Sequence, residues 1–213
     1  MRECAEEASR ILLDRFPGRG GQRGETRRKG RGNFVTETDL AVENAVLERL
    51  RAEYPDHAVL SEEGSGPAAE AKREWLWVVD PLDGTHNYSQ GNPVFSFTIA
   101  LCYDGEPVLG LTCAPATGDE FFARKGGGLF VNGVPASVSA TPSLAESVLG
   151  LDLGYDDARA AKLISLVAEL WPGMQAVRVM GAPRSASRSP PAGASMFTCT
   201  TFCTRGTPPP ASC

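Results

Sequence analysis

Residues 75–85 read Trp-Leu-Trp-Val-Val-Asp-Pro-Leu-Asp-Gly-Thr, and this stretch limits the fold more than any other in the chain. The apolar run with Leu76, Val78 and Val79 reads as a buried strand. It ends on two carboxylates, Asp80 and Asp83, with Pro81 between them. Pro81 fixes its own φ and biases Asp80 toward extended backbone. Gly84 then allows a sharp turn, and Thr85 adds a hydroxyl and backbone N–H groups. Paired hard oxygen ligands beside a turn that presents N–H donors suit Mg²⁺ and a phosphate together. An isolated Asp-Gly is an ordinary turn with a solvated acid. The full motif directly after an apolar strand is a different object.

The rest of the chain mixes helices with antiparallel strands. Ala5, Ala8, Ile11, Leu12 and Phe16 recur at helical spacing until Pro17-Gly18 stops them. A Gly/Arg-rich loop is expected up to about Gly32. Thr38 or Asp39 can cap a second helix whose face is Val42, Val46, Leu47 and Leu50. Ala58-Val59-Leu60 reads as a short strand delivering Ser61, Glu62 and Glu63, and 64–73 as a polar loop. Strands are predicted over 94–103, 107–114 and 119–124, with turns at Asp104-Gly105, Pro115–Gly118 and Asn132-Gly133. A helix is predicted over 156–170, and a strand beginning at Val177.

Composition excludes several classes. The 213 residues carry a net charge of −5, which gives no general nucleic-acid footprint. Arg27, Arg28, Lys29 and Arg31 form a local basic run broken by glycines, read as a mobile solvated loop. No run is apolar enough to span a membrane. Met1-Arg-Glu-Cys-Ala-Glu-Glu lacks the apolar core of a signal peptide, so a cytoplasmic location is expected. The 6 Cys do not form a disulfide framework: Cys102 and Cys113 sit in apolar surroundings, where a reduced thiol acts as a small hydrophobe. Cys199 and Cys203 lack a nearby His, which argues against zinc. His57 and His86 read as ordinary surface residues, and no Ser–His–acid set is apparent.

Four further segments join the central motif: Asn33-Phe-Val-Thr-Glu-Thr-Asp39, Ser61-Glu-Glu-Gly64, Gly91-Asn-Pro-Val-Phe95, and Phe121 through Gly128 on to Asn132-Gly-Val-Pro135. Together they resemble the inositol monophosphatase family of Mg²⁺-dependent, Li⁺-sensitive phosphatases, in order and spacing, from residue 1 to Gly181. The resemblance implies an α/β fold: the layered αβαβα sandwich of the inositol monophosphatase and fructose-bisphosphatase type, here incomplete at its C-terminus. It implies that Glu62, Asp80, the carbonyl of Leu82 and Asp83 are metal ligands for two or three Mg²⁺ ions. It implies hydrolysis of a small phosphorylated polyol, most directly myo-inositol monophosphate, by metal-activated water. Glu62 and Thr85 would orient that water. Asp83 and the N–H groups of Gly84 and Thr85 would hold the substrate phosphate. Asp39 is either a helix cap or a support for Thr85 or a weaker metal. A homodimer is expected of the intact family, and neither nucleic acid nor a membrane is an expected partner. Tyr88 stands where the family has Phe. Related sugar-phosphate, histidinol-phosphate and nucleotide bisphosphate phosphatases are the neighbouring alternatives. A non-catalytic metal- or anion-binding protein is the alternative of a different class.

From Ala182 the text changes to Ala-Pro-Arg-Ser-Ala-Ser-Arg-Ser-Pro-Pro and ends Pro-Pro-Pro-Ala-Ser-Cys, with no hydrophobic period. A disordered linker is one reading. The genetic code supplies another. Combining each residue's third codon base with the next residue's first two lets Gly181–Arg188 encode Ser-Ala-Ala-Leu-Gly-Leu-Ala. In the same frame Phe202–Cys213 permits Leu-Tyr-Pro-Trp-Asp-Thr-Ala-Ala-Gly-Ile-Leu. That text contains the family's second signature, with its metal-binding Asp. Residues 1–181 are therefore expected to be a truncated family domain and 182–213 an anomalous, disordered or frameshifted tail, with the chain's activity impaired. Loss of the remaining fold is expected to uncover residues 156–170 and strand 94–103.

Overall fold

The computed structural model describes residues 1–19, 26–30, 33–62, 74–138, 142–154 and 156–180. The anomalous tail and the loop 64–73 lie outside the described residues. Helix α1 (Arg2–Asp14) forms because Cys4, Ala5, Ala8 and Leu12 recur on one face, and all four are buried. Strand β1 (Thr26–Gly30) then pairs antiparallel with β2 (Asn33–Thr36). Arg27, Arg28 and Lys29, expected in a loop, thus lie in a strand. Its backbone finds ladder partners in register, Thr26 with Thr36 and Arg28 with Phe34, a pairing that side-chain composition does not reveal.

Helix α2 (Glu37–Glu53) follows directly. Its cap is Thr36 rather than Thr38 or Asp39, because Thr36 is the last extended residue, at φ −109° and ψ 164°. Its Oγ1 accepts from Thr38 N at 3.2 Å and from Asp39 N at 3.4 Å. Asp39 answers through Oδ2, which accepts from Thr36 N at 2.9 Å and from the Thr36 hydroxyl. This reciprocal box satisfies the helix's orphan N–H groups.

The main sheet has seven strands in sequence order. Strands β3 (Ala58–Ser61) and β4 (Trp75–Asp83) are parallel. Strands β5 (Ser96–Tyr103), β6 (Glu106–Ala114), β7 (Asp119–Arg124), β8 (Gly128–Val131) and β9 (Val134–Ala136) continue as an antiparallel meander. Two turns have both central residues left-handed: Asp104-Gly105 at φ 50° and 79°, and Asn132-Gly133 at φ 52° and 78°. Such turns match the twist of the strands they join. Helices α1 and α2 pack together and against β4, β5 and β6, burying Leu12, Val42, Val46, Leu50, Phe97, Ile99 and Leu111. Cys4, Cys102 and Cys113 are free thiols, and burial pushes Cys113 up to about 11.

Strands β10 (Val148–Leu151) and β11 (Ala176–Val179) form a separate parallel pair joined through helix α4 (Asp157–Leu170). Asp156 caps α4, its Oδ1 accepting from Ala158 N at 2.9 Å and Arg159 N at 3.0 Å. Helices and sheets are thus mixed, as the expected α/β class requires. Among the described residues no helix is long and apolar enough to cross a membrane.

Only half of the expected uncovering occurs. Strand β5 keeps its cover, because Phe97 and Ile99 lie under α1 and α2 and are fully buried. Helix α4 does not: it buries no residue, and Ile164 and Leu166 are 54% and 50% exposed. Apolar helix faces of this kind drive association. The expected result is a chain that binds hydrophobic dye and sediments as a mixture of sizes, improved by Ile164→Lys with Leu166→Lys. A monodisperse, dye-silent wild type would contradict this.

Candidate functional site

The site is assembled where parallel strands β3 and β4 end on the same edge. Ser61 closes β3, and Glu62 N donates to Val79 O at 3.2 Å, which holds Glu62 beside the end of β4. The β4–β5 ladder shifts register between Asp80 and Asp83, where Pro81 has no N–H to contribute. Asp80 pairs with Thr98 and Asp83 with Ser96, and both acids are buried, at 8% and 4% exposure. Gly84 then takes φ 86°, a left-handed value that a Cβ would disfavour. It starts the short helix α3 (Thr85–Ser89).

Thr85 is held by both neighbours. Its Oγ1 lies 3.1 Å from Asp39 Oδ1 and 3.0 Å from Leu82 O, so its one proton is shared between two acceptors. Asp39 thus has a contact on each side, one to the capping residue Thr36 and one to Thr85. Its Oδ2 closes the α2 cap while its Oδ1 faces Thr85. The Leu82 carbonyl accepts from Thr85 and retains a second lone pair.

The electrostatics centre on Asp80. Its carboxyl is held well above the usual carboxylate range, first by burial, then by the charge of Asp83, then by Glu62 through charge and a hydrogen bond, then by Asp39. Asp80 Oδ1 is buried with no hydrogen-bond partner among the described residues. Buried Asp80, with three further carboxylates acting on it and one oxygen without a partner, offers the hard anionic donors that a divalent cation takes. Among the described residues, however, no group of three or more Asp, Glu, His or Cys side chains stands close enough together to hold a metal ion.

The two histidines differ: His57 packs and His86 lies at the surface. His57 stacks on Trp75 with rings 5.6 Å apart and accepts from Trp77 Nε1 at 3.1 Å, on the far end of β4. His86 is exposed. Tyr88 is buried, and its hydroxyl donates to Leu12 O at 2.8 Å, which satisfies an orphan carbonyl at the end of α1. Burial pushes this hydroxyl up to about 12. Tyr88→Phe should lower stability by about 1 kcal/mol in chemical denaturation and leave metal binding unchanged. An unchanged denaturation midpoint would contradict it. Sequence reasoning missed Asn87, whose amide donates to Val94 O at 2.9 Å and to Met180 O at 2.8 Å.

This fold and this acidic strand end define a layered α/β protein with a carboxylate site at the C-terminal ends of neighbouring parallel strands. Residues 1–182 match the inositol monophosphatase family, and the chain belongs to it. Inositol-1-monophosphatase ImpA of Mycolicibacterium smegmatis is 39% identical over 140 residues, covering 65% of this chain and 50% of the relative. An inositol monophosphatase of Dictyostelium discoideum is 39% identical over 129 residues, covering 60% and 47%. The chain thus spans about half the length of these curated relatives. Among solved structures, the extragenic suppressor protein suhB of Bartonella henselae superposes with a TM-score of 0.76 at 27% identity, covering 85% of this chain and 68% of that one. A Thermotoga maritima IMPase gives 0.73 at 29%, covering 84% and 66%.

Proposed function

We propose that this chain carries the first metal site of a Mg²⁺-dependent phosphatase for small phosphate monoesters, with myo-inositol monophosphate as the substrate. One observation carries the reading: buried Asp80 is acted on by Asp83, Glu62 and Asp39, and its Oδ1 lacks a partner among the described residues. Glu62, Asp80, Asp83 and the Leu82 carbonyl would hold the ion. A divalent cation there supplies charge neutralisation for the phosphate and acidification of water. The chain's own groups do the rest. The Thr85 proton is committed to Asp39 or Leu82, so the hydroxyl's lone pairs are available to accept from a water and fix its direction. Glu62, the exposed acid of the set, can take a proton from that water. Asp83 with the N–H groups of Gly84 and Thr85 would orient the phosphate.

Relatives named inositol-1-monophosphatase favour the inositol substrate. A Thermotoga maritima relative, 36% identical, is named fructose-1,6-bisphosphatase/inositol-1-monophosphatase and makes a sugar bisphosphate the second substrate to assay. A cytoplasmic homodimer belongs to the same reading.

Titration with Mn²⁺, followed by calorimetry or by paramagnetic broadening, tests the assignment. Wild type should bind. Asp83→Asn should bind more weakly than any other single variant, by about 100-fold, because Asp83 stands where metal and phosphate meet. Equal binding by both proteins would remove Asp83 from the site.

A further inference from the structure

We propose that Asn87 is a positioning residue that makes the Asp83–Thr85 turn depend on the C-terminal β10–α4–β11 unit. The inference rests on the metal-site reading above but uses residues outside the ligand set.

Both protons of the Asn87 amide are spent on backbone carbonyls from different parts of the fold. One goes to Val94 O at 2.9 Å, just before β5 of the main sheet. The other goes to Met180 O at 2.8 Å, just after β11 of the two-stranded sheet, 93 residues away in sequence. The orientation of the amide is itself fixed. Asn92 Nδ2 donates to Asn87 Oδ1 at 3.3 Å, which turns the NH₂ group toward the two carbonyls. Asn92 is anchored in turn: its N donates to Asn87 O at 2.9 Å, and its Oδ1 accepts from Val94 N at 3.1 Å.

Asn87 sits within α3, two residues beyond Thr85. Tyr88 N donates to Gly84 O at 2.9 Å, so a shift of Asn87 is passed to Gly84 through one helical turn. Met180 N donates to Leu151 O at 3.2 Å, which ties the same carbonyl-bearing residue to β10. The side chain is therefore a pin between the site turn and a unit whose helix buries nothing else. Loosening that unit should loosen the site, and occupying the site should tighten the unit.

The test uses the full chain as wild type, Asn87→Leu and Asn92→Ala, with two readouts. Leu keeps the volume and deletes both donors, while Asn92→Ala releases the amide orientation and leaves the donors in place. Asn87→Leu should weaken Mn²⁺ binding about ten-fold, and Asn92→Ala by a smaller factor. Backbone hydrogen exchange should speed up at Tyr88 and Met180 together, with β5 and β6 amides unchanged. If Asn87→Leu fails to fold, Asn92→Ala alone decides, by whether Tyr88 and Met180 still respond as a pair. Unchanged Mn²⁺ affinity, or acceleration spread evenly through the main sheet, overturns the proposal. If wild type binds no Mn²⁺, the metal reading fails, while the paired exchange response still decides whether Asn87 couples the two units.

Discussion

Returning one nucleotide near the Gly181 codon should raise phosphate release from inositol 1-phosphate by about 100-fold or more over the 213-residue chain. The family match ends at residue 182, and the hydrophobic pattern of the sequence ends at the same place. The displaced frame can encode Trp-Asp-Thr-Ala-Ala-Gly within the span of Phe202–Cys213. It would bring back a carboxylate that the resemblance assigns to the metal site. It would also bring back chain that can cover α4, whose Ile164 and Leu166 are now half exposed. The nucleotide sequence across codons 178–213 is the first check. A stop codon in the displaced frame, or codons incompatible with Trp-Asp, would end the idea. Strong Mg²⁺-dependent turnover by the chain as it stands would end it equally.

Asp80→Asn should have two opposite effects on one protein. Metal binding should fall by about ten-fold, less than for Asp83→Asn, since a charged ligand becomes a neutral one. The metal-free chain should become more stable, by about 1–2 kcal/mol. The reason is that Asp80 is buried and faces Asp83, Glu62 and Asp39, which hold its carboxyl well above the usual range. A carboxyl raised in the folded state favours folding in its protonated form. The strain of ionising it is absent below about pH 3.8 and grows as pH rises from there toward the folded-state value. Acid should therefore lessen the difference between wild type and Asp80→Asn, and neutral pH should widen it. Thermal melts in chelator at pH 7 measure the gain. A lower melting temperature for Asp80→Asn would mean that the site relaxes its charges by another route.

What the sequence displayed of the fold was mostly local. Asp104-Gly105 and Asn132-Gly133 announced hairpins because left-handed turns favour those residue types. Strand β7 and helix α4 stood out by turn signals and by helical period. Strand β1 did not, since Thr26–Gly30 is polar and its strand character comes from pairing with β2. Strand β10, four residues with Gly150 inside, carries too little alternation to be read. The site followed the same rule. Asp80, Asp83 and Thr85 lie within one motif, and their closeness in sequence is enough to single them out as candidates. Asn87 belongs to the same run of residues, yet its partner Met180 is 93 residues away, and no local pattern points to it.

The two oxygens of Asp39 lead to an outcome that a library experiment would see. One oxygen closes the N-terminus of α2 and the other reaches Thr85, so the two contacts together need a forked side chain of this length at this place. A longer Glu would push one contact past its target, whereas Asn can keep the cap through Oδ1 and donate to Thr85 through Nδ2, but brings no charge. Randomising position 39 and selecting for heat resistance should recover Asp together with Asn, and selecting for metal uptake should recover Asp again. At position 80 the same two selections should part company. Side by side, the two positions show that one acidic cluster can hold a residue on which two pressures agree and another over which they compete.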